Sequence, residues 1–207
     1  MKKLICISQR EDYILDYQER RDALDQRWAL FLKEVGGIPL PLPNVPNVVQ
    51  DILSAVKPDG ILLTGGNTSL VNGGDPSERD IVDSLLISYA INNSIPIIGV
   101  CLGMQSLVIY FGGTLKPIDE HVSSRHMVNG IINREVNSYH KLAVDTMPSE
   151  LIALAKTEGG VVECIGHQYL PILGIMWHPE RENQFNPKDL LLFKNFWHGQ
   201  IYKNTPY

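Results

Sequence analysis

The chain has 207 residues, 44% of them hydrophobic and 20% charged, with a formal net charge of −5 at pH 7. That length and apolar fraction suit one soluble domain with its own core, and the acidic balance excludes the electrostatic footprint of a nucleic-acid binder. Three cysteines, Cys6, Cys101 and Cys164, cannot all pair, so the composition points away from a disulfide framework and toward a reducing cytoplasm. The apolar run Leu4–Ile7 after Met1-Lys2-Lys3 is too short for a signal peptide and is stopped by Gln9-Arg10-Glu11-Asp12; no stretch reaches transmembrane length, so no membrane partner is expected.

In chain order, Leu4–Ser8 is a continuous apolar run of the kind found in parallel strands covered on both faces. Arg20–Val35 reads as an amphipathic helix, with Leu24, Trp28, Phe31, Leu32 and Val35 at helical spacing and Gly36-Gly37 ending it. Pro39–Leu42 predicts a short strand, Val48–Val56 a helix capped by Asn47, and Asp59–Leu63 a buried strand closing on Thr64-Gly65-Gly66-Asn67. Pro76–Asn92 reads as a long helix with Pro76 at its first position, followed by a strand, Ile97–Val100, and a helix, Leu102–Phe111. Past Gly112-Gly113 the pattern shifts to short β-like runs at Val128–Ile132, Leu151–Lys156, Val161–Ile165 and Ile172–Trp177, then a terminal helix, Pro187–Ile201. Cys6 and Cys164 lie in such runs and read as core residues.

This alternation predicts a three-layer α/β fold. Its doubly wound, flavodoxin-like sheet is mostly parallel with antiparallel additions at one edge. No repeat or linker divides the chain, so residues 1–207 are expected to form a single domain. Ligand sites in such folds gather at the C-terminal ends of the parallel strands. That places Ser8–Arg10, Gly65–Asn67, Cys101 and the residues after Trp177 around one crevice.

Cys101 stands between Gly99 and Gly103, after the apolar run Ile95–Ile98 and at a predicted helix start. Glycines two residues to either side of a thiol describe a nucleophile elbow, a strained turn where a β-carbon would collide. A helix N-terminus also favours the thiolate. A small buried cysteine is the commoner fate of a lone thiol, but it leaves the paired glycines unexplained. A thiol hydrolase needs a base, a group to orient that base, and oxyanion donors. His178 follows the apolar run Ile172–Trp177 and so shares the rim with Cys101, with Glu180 two residues on to hold the imidazole. The N–H groups of Leu102 and Gly66 are the expected oxyanion donors. His140 is the alternative base and reads as lining the pocket. His121 and His126 fall in the loop-like Pro117–Met127 stretch and read as solvated, and His167 as a turn residue. No pair of histidines has zinc-ligand spacing near a suitable cysteine, so neither a metal nor another cofactor is expected.

Gly99-x-Cys101-x-Gly103-x-Gln105, the Gly65-Gly66 turn and His178-Pro179-Glu180 together resemble the class I glutamine amidotransferase superfamily over nearly the whole chain. Asp59–Gly66, Ser77-Glu78-Arg79-Asp80, Arg125-His126-Met127-Val128 and Val136-Asn137-Ser138-Tyr139-His140 are similar to its gamma-glutamyl hydrolase branch. The resemblance implies that Cys101 attacks a gamma-glutamyl carbonyl to form a thioester, with Gly66 and Leu102 holding the oxyanion. It further implies that His178 serves the leaving nitrogen and then the water, oriented by Glu180. Gln105 would read the glutamyl group, with Asn137, Ser138, Tyr139, His140, Arg125, His126 and Asn67 in the substrate pocket. No synthase domain is evident, which fits a stand-alone hydrolase.

Gly66-Asn67-Thr68-Ser69 departs from the aspartate and proline that relatives often carry after this turn. Glu19–Trp28 reads as a solvated helix start with i,i+4 charge pairs. Because it follows the first strand, Arg10 and Arg21 are also placed to meet a phosphorylated leaving group at the crevice rim. In its compactness and this arginine-rich opening the chain resembles the members of the branch that act on gamma-L-glutamyl-CDP-amidate, and that resemblance implies release of glutamate and cytidine diphosphoramidate for capsule biosynthesis. Competing readings are a gamma-glutamyl-gamma-aminobutyrate-type hydrolase, a glutaminase subunit feeding ammonia to a separate synthase, and a non-catalytic module on the same fold. The intact Cys101–His178–Glu180 set argues against the last. The terminal helix, with Phe193, Phe196 and Trp197, packs either on the sheet or on a second copy of the chain, which leaves a homodimer open.

Overall fold

The computed structural model describes residues 2–66 and 74–199. Strand β1 (Lys3–Ile7) leads into a hairpin of β2 (Arg10–Ile14) and β3 (Glu19–Ala23). Helix α1 (Gln26–Glu34), β4 (Gly37–Pro41), α2 (Pro46–Val56), β5 (Gly60–Leu63), α3 (Glu78–Asn93), β6 (Ile97–Val100) and α4 (Leu102–Tyr110) follow. The second half carries β7 (Thr114–Pro117), β8 (Val122–Gly130), β9 (Arg134–Tyr139), β10 (Leu142–Thr146), β11 (Leu151–Thr157), β12 (Val162–His167), β13 (Ile172–Ile175) and α5 (Pro187–Trp197).

Among the described residues the main sheet has nine strands in the order β4-β1-β5-β6-β13-β12-β11-β8-β9. The first five run parallel, and β12, β11, β8 and β9 extend the sheet antiparallel. Counted in chain order, the parallel strands lie 2-1-3-4-5, the flavodoxin-like arrangement. Side-chain alternation builds the layers. Ile5 and Ile7 of β1 and Leu62 of β5 pack with Trp28 and Phe31 of α1 and Phe193 and Phe196 of α5. Cys6, Ile61 and Leu63 point the other way, onto Val49 of α2, Val82 and Leu86 of α3 and Leu107 of α4. Phe31 meets Phe193 edge to face at 4.9 Å, so the aromatic face of α5 is buried on the chain's own sheet.

Several predicted boundaries need correction. Residues 19–23 are not helical: they pair with β2, Asp12 opposite Arg21 and Arg10 opposite Ala23. The helix starts only after Asp25, whose side chain accepts from the Arg27 N–H at 2.9 Å. Helix α2 begins at Pro46 with Val45 at its cap, so Asn47 lies inside the first turn, where the proline forfeits no hydrogen bond. Helix α3 begins after Ser77, which forms a capping box with Asp80 and leaves Pro76 outside. The predicted loop Pro117–Met127 is largely strand β8, and Ile172–Ile175 is the fifth parallel strand rather than an edge addition. Helix α5 ends at Trp197, and Ile201 lies outside the described residues. No described helix is long and apolar enough to cross a membrane.

The crevice end of the sheet is tied together by Arg79, a fully buried residue of α3. Its Nε donates to Asp83 at 2.8 Å, one Nη donates to the Thr64 carbonyl at 2.9 Å, and the other reaches the Gln9 carbonyl. One side chain thus joins the segments that follow β5 and β1. Burial pushes the Asp83 carboxyl up, against the pull of the facing guanidinium. Arg79→Ala is expected to lower the unfolding free energy by about 3–5 kcal/mol, because it leaves one buried charge without its partner. Urea denaturation measures this; a loss of less than about 1 kcal/mol, the scale of an exposed pair, would contradict it.

Candidate active site

Strand β6 ends at Val100 and α4 begins at Leu102, so Cys101 alone makes the turn, at φ +52° and ψ −104°. A non-glycine residue held there stores on the order of 1–3 kcal/mol of strain. The Cys101 N–H donates to the Ile175 carbonyl at 2.8 Å, and the Cys101 carbonyl accepts from the Gln105 N–H at 3.1 Å. A β-carbon on Gly103 would strike the Leu63 carbonyl, and one on Gly99 would strike the Gly103 carbonyl. Only glycines permit this approach. Cys101 is 8% exposed and opens into a cleft lined by Arg10, Gly65, Gly66, Tyr139, His178 and Arg181.

His178 enters from the neighbouring strand, β13, and its backbone is clamped by Asn137 of β9. The His178 N–H donates to Asn137 Oδ1 and Asn137 Nδ2 donates to the His178 carbonyl, both at 2.8 Å. In the ring, Nδ1 lies 2.7 Å from Glu180 Oε1. A carboxylate only accepts, so Nδ1 carries the proton and Nε2 is left for the thiol. Burial alone pushes this imidazole down, but hydrogen bonds to Cys101 and Glu180 more than reverse that, raising its pKa to about 9. Arg27 of α1 holds the turn that carries Glu180 by donating to the Glu180 and Glu182 carbonyls. The Tyr139 ring stands edge-on to His178 at 5.6 Å.

Leu102 heads α4 beside the thiol, and Gly66 lies against it: a β-carbon there would sit 3.4 Å from the Leu102 side chain and 3.1 Å from Arg10. Gln105 is buried one turn on, its Nε2 donating to the Leu142 carbonyl at 3.3 Å. Arg21, Arg125, His126, Ser138 and His140, like Gln105 and Asn137, are not among the described residues lining this cleft. Alternation along β9 turns Asn137 and Tyr139 to His178, while Ser138 donates to the His121 carbonyl at 2.6 Å and His140 faces the His121 ring at 3.1 Å. Arg125 bridges Glu135 at 2.9 Å and Glu182 at 3.1 Å, and His126 faces Glu163. Arg21 pairs with Glu19 at 2.7 Å on the hairpin. Asn67 lies outside the described residues.

Two site features were missed in the sequence. Arg181 lines the cleft with its guanidinium 4.6 Å over the Tyr139 ring; its place directly after Glu180 was the available signal. Asn137 acts on the backbone of His178, which only the sheet register reveals. Arg10 and Arg181 also border an adjoining hollow formed with Ala23, Leu24, Asp25, Trp28 and Thr64.

Residues 33–198 match the family model for Glutamine amidotransferase class-I. The chain belongs to that family. Hydrolase or amidotransferase chemistry is its coarse activity. Two curated relatives are similar over most of their length. The gamma-glutamyl-CDP-amidate hydrolase of Campylobacter jejuni is 28% identical over 194 residues, spanning 90% of this chain and 94% of that protein. The gamma-glutamyl-gamma-aminobutyrate hydrolase of Escherichia coli O157:H7 is 27% identical over 216 residues, spanning 84% of each. A crystal structure described as a GMP synthase component from Thermoplasma acidophilum superposes with a TM-score of 0.71 at 18% identity, covering 96% of this chain and 94% of that one. That likeness shows the fold.

Because the His178 pKa is raised from 6.5 to about 9, the stability its imidazolium contributes is full below about pH 6.5 and fades as pH rises through about 9. Cys101→Ala removes a partner that raises it, so the His178 midpoint in an NMR titration is expected to fall. An unchanged midpoint would contradict the thiol–imidazole contact.

Proposed function

We propose that this chain is a cysteine hydrolase of gamma-glutamyl amides, working through a Cys101–His178–Glu180 triad and a glutamyl thioester. The observation that carries this reading is the Cys101 thiol, held at positive φ and facing an imidazole that Glu180 orients. Cys101 Sγ bonds to the gamma-carbonyl carbon while its proton resides on His178. The N–H groups of Leu102 and Gly66 donate to the oxyanion. His178 then protonates the leaving nitrogen as the C–N bond breaks. Water enters, gives a proton to His178 and attacks the thioester; the C–S bond breaks, glutamate leaves and the thiol recovers its proton. Gln105, one turn past the nucleophile, reads the glutamyl group.

The leaving group is a phosphoramidate, with gamma-glutamyl-CDP-amidate as substrate and cytidine diphosphoramidate, a precursor for capsule modification, as product. Two arginines at the cleft mouth support this, Arg10 and Arg181, because guanidinium groups match phosphate oxygens in charge and fork geometry. The name of the Campylobacter jejuni relative supports it as well. Arg181 takes the place that the sequence pattern assigns to Arg21.

The test compares kcat/KM for gamma-glutamyl-CDP-amidate, gamma-glutamyl-gamma-aminobutyrate and glutamine. The CDP-amidate is expected to be best, with Arg10→Ala and Arg181→Ala each lowering its kcat/KM by about 10- to 100-fold, the scale of a charged hydrogen bond. Arg21→Ala is expected to change nothing. Cys101→Ala is expected to abolish glutamate release in a folded protein. Glutamate release that survives Cys101→Ala would overturn the hydrolase reading, and arginine variants without effect would overturn the phosphate reading alone.

A further inference from the structure

Glu163 of β12 is fully buried, and neither of its carboxylate oxygens has a partner in hydrogen-bond geometry among the described residues. Around Oε1 stand His121 Nδ1 at 3.4 Å, His126 Nε2 at 3.4 Å and His140 Nε2 at 3.3 Å. His126 Nε2 is itself buried without a partner. The nitrogens come from three places in the fold: the residue before β8, β8 itself, and the residue after β9.

The proton inventory of this cluster is short. His140 Nδ1 lies 3.0 Å from the Leu142 carbonyl; a carbonyl only accepts, so Nδ1 is the donor and the neutral ring turns a bare Nε2 lone pair inward. That lone pair faces His121 Nδ1 at 3.1 Å and the Glu163 oxygen, which is an acceptor too. His140 Nε2 and the Glu163 oxygen are thus two acceptors facing one another across 3.3 Å in a buried site, a contact that a cation between them relieves. The spacing fits one. Ligands about 2.0–2.2 Å from a tetrahedral zinc ion lie about 3.3–3.6 Å from one another.

We propose that His121, His126 and Glu163 bind a divalent transition-metal ion of the zinc type. One nitrogen of each histidine and one oxygen of Glu163 lie within 4.8 Å of one another. His140 Nε2 lies outside that group, 3.3 Å from the Glu163 oxygen and 3.1 Å from His121 Nδ1, its orientation set by the bond to Leu142. The Leu142 carbonyl also accepts from Gln105, and the strand before His140 carries Asn137 and Tyr139. The ion would therefore clasp the β8–β9 hairpin to β12 just behind the cleft. Its role is structural, since none of His121, His126, His140 and Glu163 lines the cleft that holds Cys101. This departs from the sequence-level expectation of no metal, which weighed histidine spacing only against nearby cysteines.

The test uses the untagged full-length chain, stripped with a chelator and titrated with ZnCl2 by calorimetry, with cobalt(II) as a spectroscopic probe. Expected are one ion per chain, a rise in Tm, and visible cobalt absorption characteristic of a low-coordinate nitrogen–oxygen site. Glu163→Gln and His126→Ala are each expected to weaken binding by about 10-fold or more. The half-buried position of His126 makes its variant the safer one to fold. Absence of stoichiometric zinc binding by the folded chain would overturn the proposal, as would binding that survives His126→Ala unchanged.

Discussion

The site depends on the parallel ladder between β6 and β13. Val100 is paired with Ile175, and the Cys101 N–H extends the ladder by one bond to the Ile175 carbonyl. Cys101 therefore leaves its strand one residue past that pair, and His178 leaves the adjacent strand three residues past it. Neighbouring strands lie about 4.8 Å apart, so this register alone brings a thiol and an imidazole from distant parts of the chain into reach. The close approach of Gly103 to Leu63 then fixes the direction in which the thiol points, because α4 starts hard against the end of β5.

Reach is not orientation. The imidazole is aimed by its own turn and by two further elements: Glu180 holds Nδ1, Asn137 of β9 holds its backbone, and Arg27 of α1 holds the turn bearing Glu180. The strained Cys101 conformation is held instead by its own backbone bonds to Ile175 and Gln105 and by the close approach of Gly103 to Leu63. The antiparallel half of the sheet also contributes to a crevice built by the parallel half: β9 supplies the Asn137 clamp and Tyr139, a cleft wall.

What was legible in the sequence was local. Short apolar runs marked β1, β5, β6 and β13 because strands covered on both faces admit little else, and Gly99-x-Cys101-x-Gly103 marked the turn because sterics there permit only glycine. The β2–β3 hairpin was illegible. Trp28 and Phe31 do share a helical stripe, and Leu24 before the helix packs against the same core, but the charged residues 19–23 pair across to β2, and nothing in their spacing distinguishes a solvated helix start from a solvated hairpin. The faces of β9 were likewise hidden: Asn137, Ser138, Tyr139 and His140 read as one pocket-lining group until strand alternation divided them. The cluster around Glu163 was beyond reach, since its members meet only through the order β12-β11-β8-β9 and the turn after β9.

Acid-quench mass spectrometry of the enzyme during turnover tests the mechanism most directly. Mixing the chain with excess gamma-glutamyl-CDP-amidate and quenching within the first turnovers is predicted to yield a fraction of protein heavier by one glutamyl group, mapped to Cys101 and absent in Cys101→Ala. Glutamate release with no adduct at Cys101, continuing in the Cys101→Ala protein, would contradict it.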